Sequence, residues 1–225
     1  MAVHTRQIDR ANRASGFTLL EMMAVLVIIG ILMTLLVTQL AKGAKVAEAK
    51  VTRIFIETLG APISEYENQF GDYPPSQWNE EWGSAPNNTN LGAEALVLSL
   101  WSRKWGGVSI NDDKLINTDQ DETKKPVARF PKPSLFELKD QWDNPIAYLH
   151  HRDYGRQDVY ITIPKNGQKV DDASGKLEST VRAHINPKTG QPYNPTKYQL
   201  ISAGIDGEFG TEDDIGNWTP EPEKE

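Results

Sequence analysis

Three aspartates near the C-terminus have the residue type and spacing of a metal-binding loop. Asp206, Asp213 and Asp214 lie close together in the chain, and Gly207 and Gly210 stand among them. Calcium takes about six to eight oxygen ligands, which loops often supply as carboxylates and backbone carbonyls. If the two glycines let the backbone fold back, the three carboxylates converge. The segment therefore predicts a calcium loop as one possibility.

Two other interpretations of this acidic segment need to be weighed. An EF-hand is excluded, because the twelfth position counted from Asp206 is Asn217 and not glutamate. Composition alone favours a solvated acidic turn, because runs of charge usually face solvent. The residues by themselves leave the turn and the calcium loop both open.

A fourth acid, Glu21, stands at the start of a long apolar run. Nothing is charged from Met22 to Ala41, and about 20 apolar residues are enough to cross a bilayer. A secretory signal peptide has a shorter apolar core and a small-residue cleavage site, which disfavours cleavage after this run. A charge at a membrane is costly and usually has a partner. An acid that snorkels to the interface is the alternative explanation.

Basic residues flank the apolar run on both sides. Those before it favour a cytoplasmic N-terminus, and those after it weaken that prediction. The first group is Arg6, Arg10 and Arg13, and the second is Lys42, Lys45, Lys50 and Arg53.

The helix that begins in the apolar run is predicted to continue beyond it. Apolar residues recur at imperfect helical spacing among charged ones, which indicates a face that packs on a core rather than on other subunits. Gly60 and Pro62 predict a kink or local break, and the GDYPP stretch from Gly71 predicts the end of the helix. The stripe consists of Val46, Ala49, Ile54, Leu59, Ile63, Tyr66 and Phe70.

Composition limits the function classes. The chain has 225 residues, enough for one ordinary domain plus an extension, and its formal net charge of −7 argues against nucleic acid as the main partner. It has no cysteine, so disulfides and thiolate metal sites are excluded. No nucleophile–base–acid set, phosphate-binding glycine loop or H-E-x-x-H motif is present, and we predict that the protein is not an enzyme.

Three polar segments have no assigned role. Segment 77–90 is interpreted as an inserted loop, and segment 164–197 as a loop or a partner surface. The N-glycosylation sequon that begins at Asn87 is interpreted as chance. A second acidic stretch lacks the glycine that an EF-hand bend needs and is predicted to be a solvated loop. Its acids are Asp112, Asp113, Asp119, Asp121 and Glu122.

The GFTLLE sequence from Gly16, followed by the apolar run, resembles the class III signal of type IV pilins and their relatives. In that family a prepilin peptidase cuts on the cytoplasmic side between the glycine and the phenylalanine, and then N-methylates the new terminus. The resemblance implies that Gly16 ends a leader, that Phe17 becomes the methylated first residue, and that Glu21 becomes the fifth. It also implies that the Phe17 amine of one subunit neutralises Glu21 of another, because an unpaired buried charge is strongly destabilising.

Four further stretches narrow this resemblance to the major pseudopilins of type II secretion. They are the FGDYP turn from Phe70, the GAEAL helix from Gly92, the DQWDNP turn from Asp140 and the DDIGNW end from Asp213. In the third, Asp143 replaces the usual glycine; Asn and Asp are the residues that best tolerate positive φ after glycine.

The resemblance implies a ligand set for the C-terminal loop. Asp206, Asp213 and Asp214 become side-chain ligands of Ca²⁺. The backbone carbonyls of Ala203 and Thr211 are less specific candidates, because any residue type can supply a carbonyl.

The implied fold is α+β and type IV pilin-like, with a long N-terminal helix packed on a small antiparallel sheet. Residues 1–16 form the leader, 17–41 the transmembrane and filament-core helix, and 42–71 its amphipathic continuation. Residues 72–225 form a periplasmic domain that includes the calcium loop, 203–218.

The implied function is structural. Subunits polymerise through their N-terminal helices into a periplasmic pseudopilus that drives type II protein secretion. The expected partners are further copies of the chain in a helical homopolymer, minor pseudopilins, the prepilin peptidase and an inner-membrane assembly platform. Before assembly, the subunit is expected to cross the bacterial inner membrane once with a cytoplasmic N-terminus.

Two alternatives stay open. The first alternative is a subunit of a type IV pilus for adhesion or motility. Many such pilins close their C-terminal loop with a disulfide, which this chain cannot form. A membrane-anchored calcium-dependent binding module belongs to a different class, and it would leave the processing signal unused.

Processing after Gly16 gives a direct prediction. Intact mass spectrometry and N-terminal peptide sequencing of protein from its native host should find a chain that begins at N-methylated Phe17. A chain that still begins at Met1 would contradict the prediction.

Overall fold

The computed structural model describes residues 17–101, 111–127, 133–165 and 174–219. Helix α1 comes first and the shorter α2 second, followed by strands β1 to β7 and interspersed with three 3₁₀ turns. The helices are Leu19–Phe70 and Leu91–Leu100, and the turns are Glu80–Trp82, Asp112–Lys114 and His151–Asp153. The strands are Leu115–Ile116, Glu137–Leu138, Ala147–His150, Asp158–Thr162, Leu177–Val181, Tyr198–Ser202 and Ile215–Gly216.

The strands form three small antiparallel sheets, β1–β2, β3–β6–β7 and β4–β5. Ala147 pairs with Ile201 in the central sheet, and Ile201 pairs in turn with Gly216. The expected α+β architecture, a long N-terminal helix followed by small antiparallel sheets, is confirmed. One expectation was wrong, since the 164–197 segment contains strand β5 and is not loop throughout.

Helix α1 passes through Pro62 as a single helix, so the predicted local break does not occur among the described residues. Proline removes one helical hydrogen bond, but the neighbouring turns are held by Leu59 and Ile63, which are completely buried or nearly so. The predicted end is confirmed. Gly71 has φ +80° and its N–H donates to the Glu67 carbonyl at 2.7 Å, the left-handed stop typical of helix C-termini.

The buried face of α1 differs in part from the predicted stripe. Thr52, Ile56, Leu59 and Ile63 recur at intervals of three and four residues and are at most 1% exposed. Packing on a core is therefore correct for Leu59 and Ile63. It was wrong for Val46, Ile54 and Phe70, which are 69%, 50% and 47% exposed. Ile54 is two residues from both Thr52 and Ile56, which places it on the opposite side of a helix with 3.6 residues per turn.

Helix α2 is buried from Gly92 to Leu100 and lies against strand β3. A Cβ at Gly92 would stand 2.2 Å from the Tyr148 carbonyl oxygen, so only glycine permits this approach. The Tyr160 hydroxyl accepts from the Ala93 N–H at 3.2 Å and from the Tyr148 N–H at 3.4 Å. The short helix expected after Gly92 is thus confirmed, and a buried tyrosine joins it to the sheet.

The DQWDNP turn joins three strands through a buried acid and a buried amide. Asp143 has φ +63°, which confirms that this position needs a left-handed residue. The Asp140 carboxylate accepts from the N–H groups of Trp142 and Asn144 at 2.8 and 3.0 Å and from the Ser202 hydroxyl at 2.6 Å. Burial nevertheless raises the pKa of Asp140 to about 6.

The second acidic stretch is only partly a solvated loop. Asp112, Asp113 and Glu122 are exposed, as predicted. Asp119 and Asp121 are half-buried, and the Asn87 amide donates to both at 2.7 and 3.1 Å. The prediction was wrong for these two residues, because it rested on local composition and could not include Asn87, more than 30 residues away in the chain.

The close approach at Gly92 can be tested by substitution. Gly92→Ala should lower the free energy of unfolding by about 1–3 kcal/mol, because the added methyl group meets a backbone carbonyl that cannot move aside without displacing β3. The measurement is urea denaturation of the full chain in detergent, with tryptophan fluorescence as the signal that reports unfolding. Gly155→Ala is the matched control, since its new Cβ would meet nothing within 4 Å. Equal stability of the two variants would contradict the packing argument.

Candidate functional sites

Glu21 is held at the start of α1 by Thr18. The backbone N–H and hydroxyl of Thr18 donate to Glu21 Oε2 at 2.8 and 2.9 Å, and the Glu21 N–H donates to the Thr18 hydroxyl at 3.2 Å. This is a capping box, in which a threonine and the glutamate three residues later satisfy each other's backbone donors. The T-x-x-E pattern is visible in the sequence, although the explanations given above for Glu21 were an interfacial acid and a charge partner on another subunit.

The first half of α1 exposes its apolar side chains. The contacts of the chain divide after Val46, and before that point the side chains described from Phe17 to Leu40 are all exposed, Phe17 to 78%. Among the described residues, α1 is the one helix long and apolar enough to cross a membrane. These features fit membrane anchoring. Gly16, the predicted last residue of the leader, lies outside the described residues.

Two of the three predicted calcium ligands come together in the C-terminal loop. Asp213 Oδ2 accepts from the N–H groups of Ile205 and Asp206 at 2.9 and 3.3 Å, so the loop closes on its own backbone. Burial and the negative charge of Asp213 raise the pKa of Asp206. Asp206 and Asp213 therefore form a pair of carboxylates that a cation would stabilise.

The third aspartate points toward a histidine. Asp214 Oδ2 lies 2.7 Å from His184 Nε2 and accepts from the Gly210 N–H at 2.7 Å. Its other oxygen, Oδ1, is buried and has no hydrogen-bond partner among the described residues. Burial raises the pKa of Asp214, and the His184 contact opposes that rise. His184 was not predicted to take part, because it is 30 residues away in the chain and no local pattern joins it to Asp214.

Gly204 is the glycine that this loop requires most. It has φ +65°, and a Cβ there would stand 2.4 Å from Asp213 Oδ2 and 2.6 Å from the Asp213 carbonyl oxygen. The loop thus has a cradle for the Asp213 carboxylate that any other residue would fill. Ala203, a predicted carbonyl ligand, precedes this glycine and is fully buried. Thr211, the other, donates its hydroxyl to Asp213 Oδ1 at 2.6 Å.

The GNW end of the loop is fastened to the rest of the domain. The Trp218 ring lies directly on Gly216, where a Cβ would be 2.0 Å from a ring carbon. Asn217 Oδ1 accepts from the Leu200 N–H at 3.0 Å, which extends the pairing of β6 with β7 through a side chain. Arg53 of α1 donates to the Trp218 carbonyl at 3.2 Å. Arg53 was considered earlier only as a flanking charge.

The three C-terminal aspartates are not the tightest acidic group of the described residues. In that part of the chain, three side chains of the metal-binding types lie close enough for one ligand atom of each to be within 4.8 Å of the other two. They are Glu94, Asp119 and Glu137, and no other such group occurs among the described residues. No motif in the sequence joins these three positions, which come from α2, a loop and β2.

Comparison with known proteins points to one family. The prokaryotic N-terminal methylation motif matches residues 11–37. Over 149 residues, which cover 66% of this chain and 82% of the relative, the chain is 31% identical to the type II secretion system core protein G of Pseudomonas aeruginosa.

Two further relatives carry the same name. The chain is 25% identical to the type II secretion system core protein G of Aeromonas hydrophila over 92% of this chain and 94% of the relative. It is 27% identical to that of Vibrio cholerae over 75% of this chain and 92% of the relative. No solved structure matches the chain. From the coverage and identity of these relatives, together with the methylation motif, the chain belongs to the type II secretion system core protein G family.

Proposed function

We propose that this chain is a structural pseudopilin subunit of type II protein secretion that polymerises through α1. The observation that carries the proposal is the exposed apolar first half of α1, which directly follows a methylation motif. Apolar surface of this extent is stable only when lipid or other protein covers it. The relatives' shared name supports secretion over a surface pilus and over a calcium-dependent binding module, and it supports a structural role over an enzymatic one.

The same helix has two successive environments in this proposal. It first spans the inner membrane with a cytoplasmic N-terminus, where the prepilin peptidase removes residues 1–16. An assembly platform then moves the subunit into a periplasmic pseudopilus, in which α1 packs against α1 of neighbouring copies. Minor pseudopilins are further proposed partners in that filament.

In the filament, Glu21 would set the register between neighbouring subunits. The Phe17 amine produced by cleavage is a positive charge four residues before this carboxylate. In a water-poor bundle, a subunit out of register would leave both charges without a partner, which is strongly unfavourable. The capping box is compatible with this role, because a carboxylate has two oxygens and about four acceptor sites. Thr18 binds one of those oxygens, Oε2.

Two substitutions separate the charge of Glu21 from its capping role. Glu21→Gln should abolish filaments and secretion, because glutamine can still close a capping box but carries no charge. Thr18→Ala should cost about 1 kcal/mol of helix stability and leave filaments abundant, because the charge remains. Filaments are counted by electron microscopy of cells that overexpress the subunit. Secretion is measured as the activity of an exported protein in the medium.

The opposite pattern would contradict the charge-pairing proposal. Wild-type filament numbers in Glu21→Gln would show that the charge is dispensable. A defect in Thr18→Ala as severe as that in Glu21→Gln would assign the role of Glu21 to the helix cap instead.

We propose in addition that the C-terminal loop binds Ca²⁺. The residues present fit the ion: Asp206 and Asp213 bring two negative charges together, Asp214 has a buried oxygen without a hydrogen-bond partner among the described residues, and Gly204 leaves room for the Asp213 carboxylate. The side chains of Asp206, Asp213 and Asp214 would hold the ion, with the Ala203 and Thr211 carbonyls as further candidates. Bound Ca²⁺ would neutralise these charges and fasten the loop to β6 in a chain without disulfides.

Asp213→Asn should weaken calcium binding and lower the calcium-dependent part of the melting temperature of the full chain in detergent. An ion present at 100 times its Kd stabilises by about 2.7 kcal/mol, which corresponds to roughly 5–10 °C for a domain of this size. The measurement is thermal denaturation with excess calcium and with chelator. Glu212→Gln is the matched control, since Glu212 is an exposed acid in the same loop. Equal calcium-dependent shifts in the two variants would refute the loop site.

A further inference from the structure

A second group of carboxylates lies inside the domain. Glu94 of α2 and Glu137 of β2 are both completely buried, and Asp119 lies beside them in the loop that follows β1. One carboxylate oxygen of each lies within 4.8 Å of the others. Asp121 is a fourth acid near enough for its charge to act on Glu94.

Glu94 is the residue that distinguishes this group from an ordinary acidic cluster. It is 0% exposed, and neither of its carboxylate oxygens has a hydrogen-bond partner among the described residues. A buried carboxylate without a partner is one of the costliest groups that a fold can contain. Each neighbouring charge that acts on it, from Asp121, Glu137 and Asp119, adds to the effect of burial and raises the pKa of Glu94 to about 10. Among the described residues, no positive charge is therefore bonded to the carboxylate of Glu94.

The other acids of the group are oriented as metal ligands usually are. Asn87 donates to the Oδ2 atoms of Asp119 and Asp121, whereas the Oδ1 atom of each is buried and has no partner in the described part of the chain. Asn90 donates to Glu137 Oε1 at 2.9 Å. The Thr118 N–H donates to the other oxygen of Glu137, Oε2, at 3.2 Å. Amide donors thus hold both oxygens of Glu137 and one oxygen each of Asp119 and Asp121, and such outer hydrogen bonds orient metal ligands in known sites.

Lys176 does not replace a cation at the centre of the group. Its ammonium donates to the Thr118 carbonyl at 2.6 Å, and its charge opposes the rise in the pKa of Asp119. It makes no hydrogen bond to Glu94, whose two carboxylate oxygens have no partner among the described residues. No described base is therefore bonded to the carboxylate of Glu94.

We propose that Glu94, Asp119 and Glu137, with Asp121 beside them, form a second calcium site, separate from the C-terminal loop. The donors are all carboxylate oxygens, which suit calcium, magnesium or manganese rather than zinc or copper. Calcium takes about six to eight oxygen ligands and accepts several carboxylates, whereas magnesium usually keeps several waters and binds through one or two carboxylates. A buried group of three carboxylates with a fourth beside it therefore favours calcium.

The ion would connect three parts of the domain that are distant in sequence. Glu94 is on α2, Asp119 is in the 117–122 loop, and Glu137 is on β2. Asn87 and Asn90, which donate to the other acids, both belong to the 77–90 segment. The inserted segment would thus have a structural role, to supply the outer hydrogen bonds of a buried cation.

Equilibrium dialysis of the full chain in detergent against radioactive calcium tests the proposal. The wild-type chain should bind about two ions, one at each site, and Glu94→Gln should bind one fewer. In this variant the affinity of the buried site for calcium should fall by at least tenfold, since an uncharged amide replaces a charged ligand. Asp206→Asn with Asp213→Asn should also lose one ion, and all three substitutions together should remove both. Glu178→Gln, at an exposed acid of β5, is the control and should bind as the wild type does.

The two calcium proposals fail in different ways. If Glu94→Gln binds as many ions as the wild type with unchanged affinity, the buried site is refuted. If the wild type binds one ion that Glu94→Gln loses and the double aspartate variant keeps, the buried site holds and the loop site is refuted. A tenfold excess of magnesium that displaces the ion would overturn the choice of calcium. Asp119→Asn, at a half-buried position, gives the same test if Glu94→Gln does not fold.

Discussion

An apolar helix that its own chain does not cover sets the conditions for the rest of this protein. The described side chains from Phe17 to Leu40 are exposed, so lipid or other subunits must cover them. Any charge at the edge of that surface needs a partner, and the capping box supplies one locally for Glu21. The rest of the chain folds into a domain with a core of its own, built on the later turns of α1.

That domain has no disulfide, and buried polar groups join its strands and loops instead. Asp140 and Asn144 join the start of β3 to the end of β6 and to the segment after β4. Asn217 continues the pairing of β6 with β7, and Arg53 joins α1 to the end of the C-terminal segment. Each bond satisfies a group that would be costly to bury alone, so the network fixes one arrangement of short strands.

Acids in this domain serve different purposes according to their burial. Asp140 accepts three hydrogen bonds, two from its own turn and one from Ser202. Asp214 has two partners, His184 and the Gly210 N–H, and Glu94 has none among the described residues. The fewer donors the fold supplies, the more an acid depends on a proton or a cation, and Glu94 lies at that end of the range.

Local patterns determined the parts of this protein that depend on neighbours in sequence. The membrane-length helix, its stop at Gly71, the short helix after Gly92 and the left-handed turn at Asp143 were all predicted, because each follows from the conformational preference of a few adjacent residues. Only the tertiary structure decided which acids are buried and what faces them. Asn87 and Asp119, or His184 and Asp214, are separated by about 30 residues, and nothing in local composition specifies their contact. Strand β5 escaped prediction for the same reason, because its pairing with β4 rather than its own sequence makes it a strand.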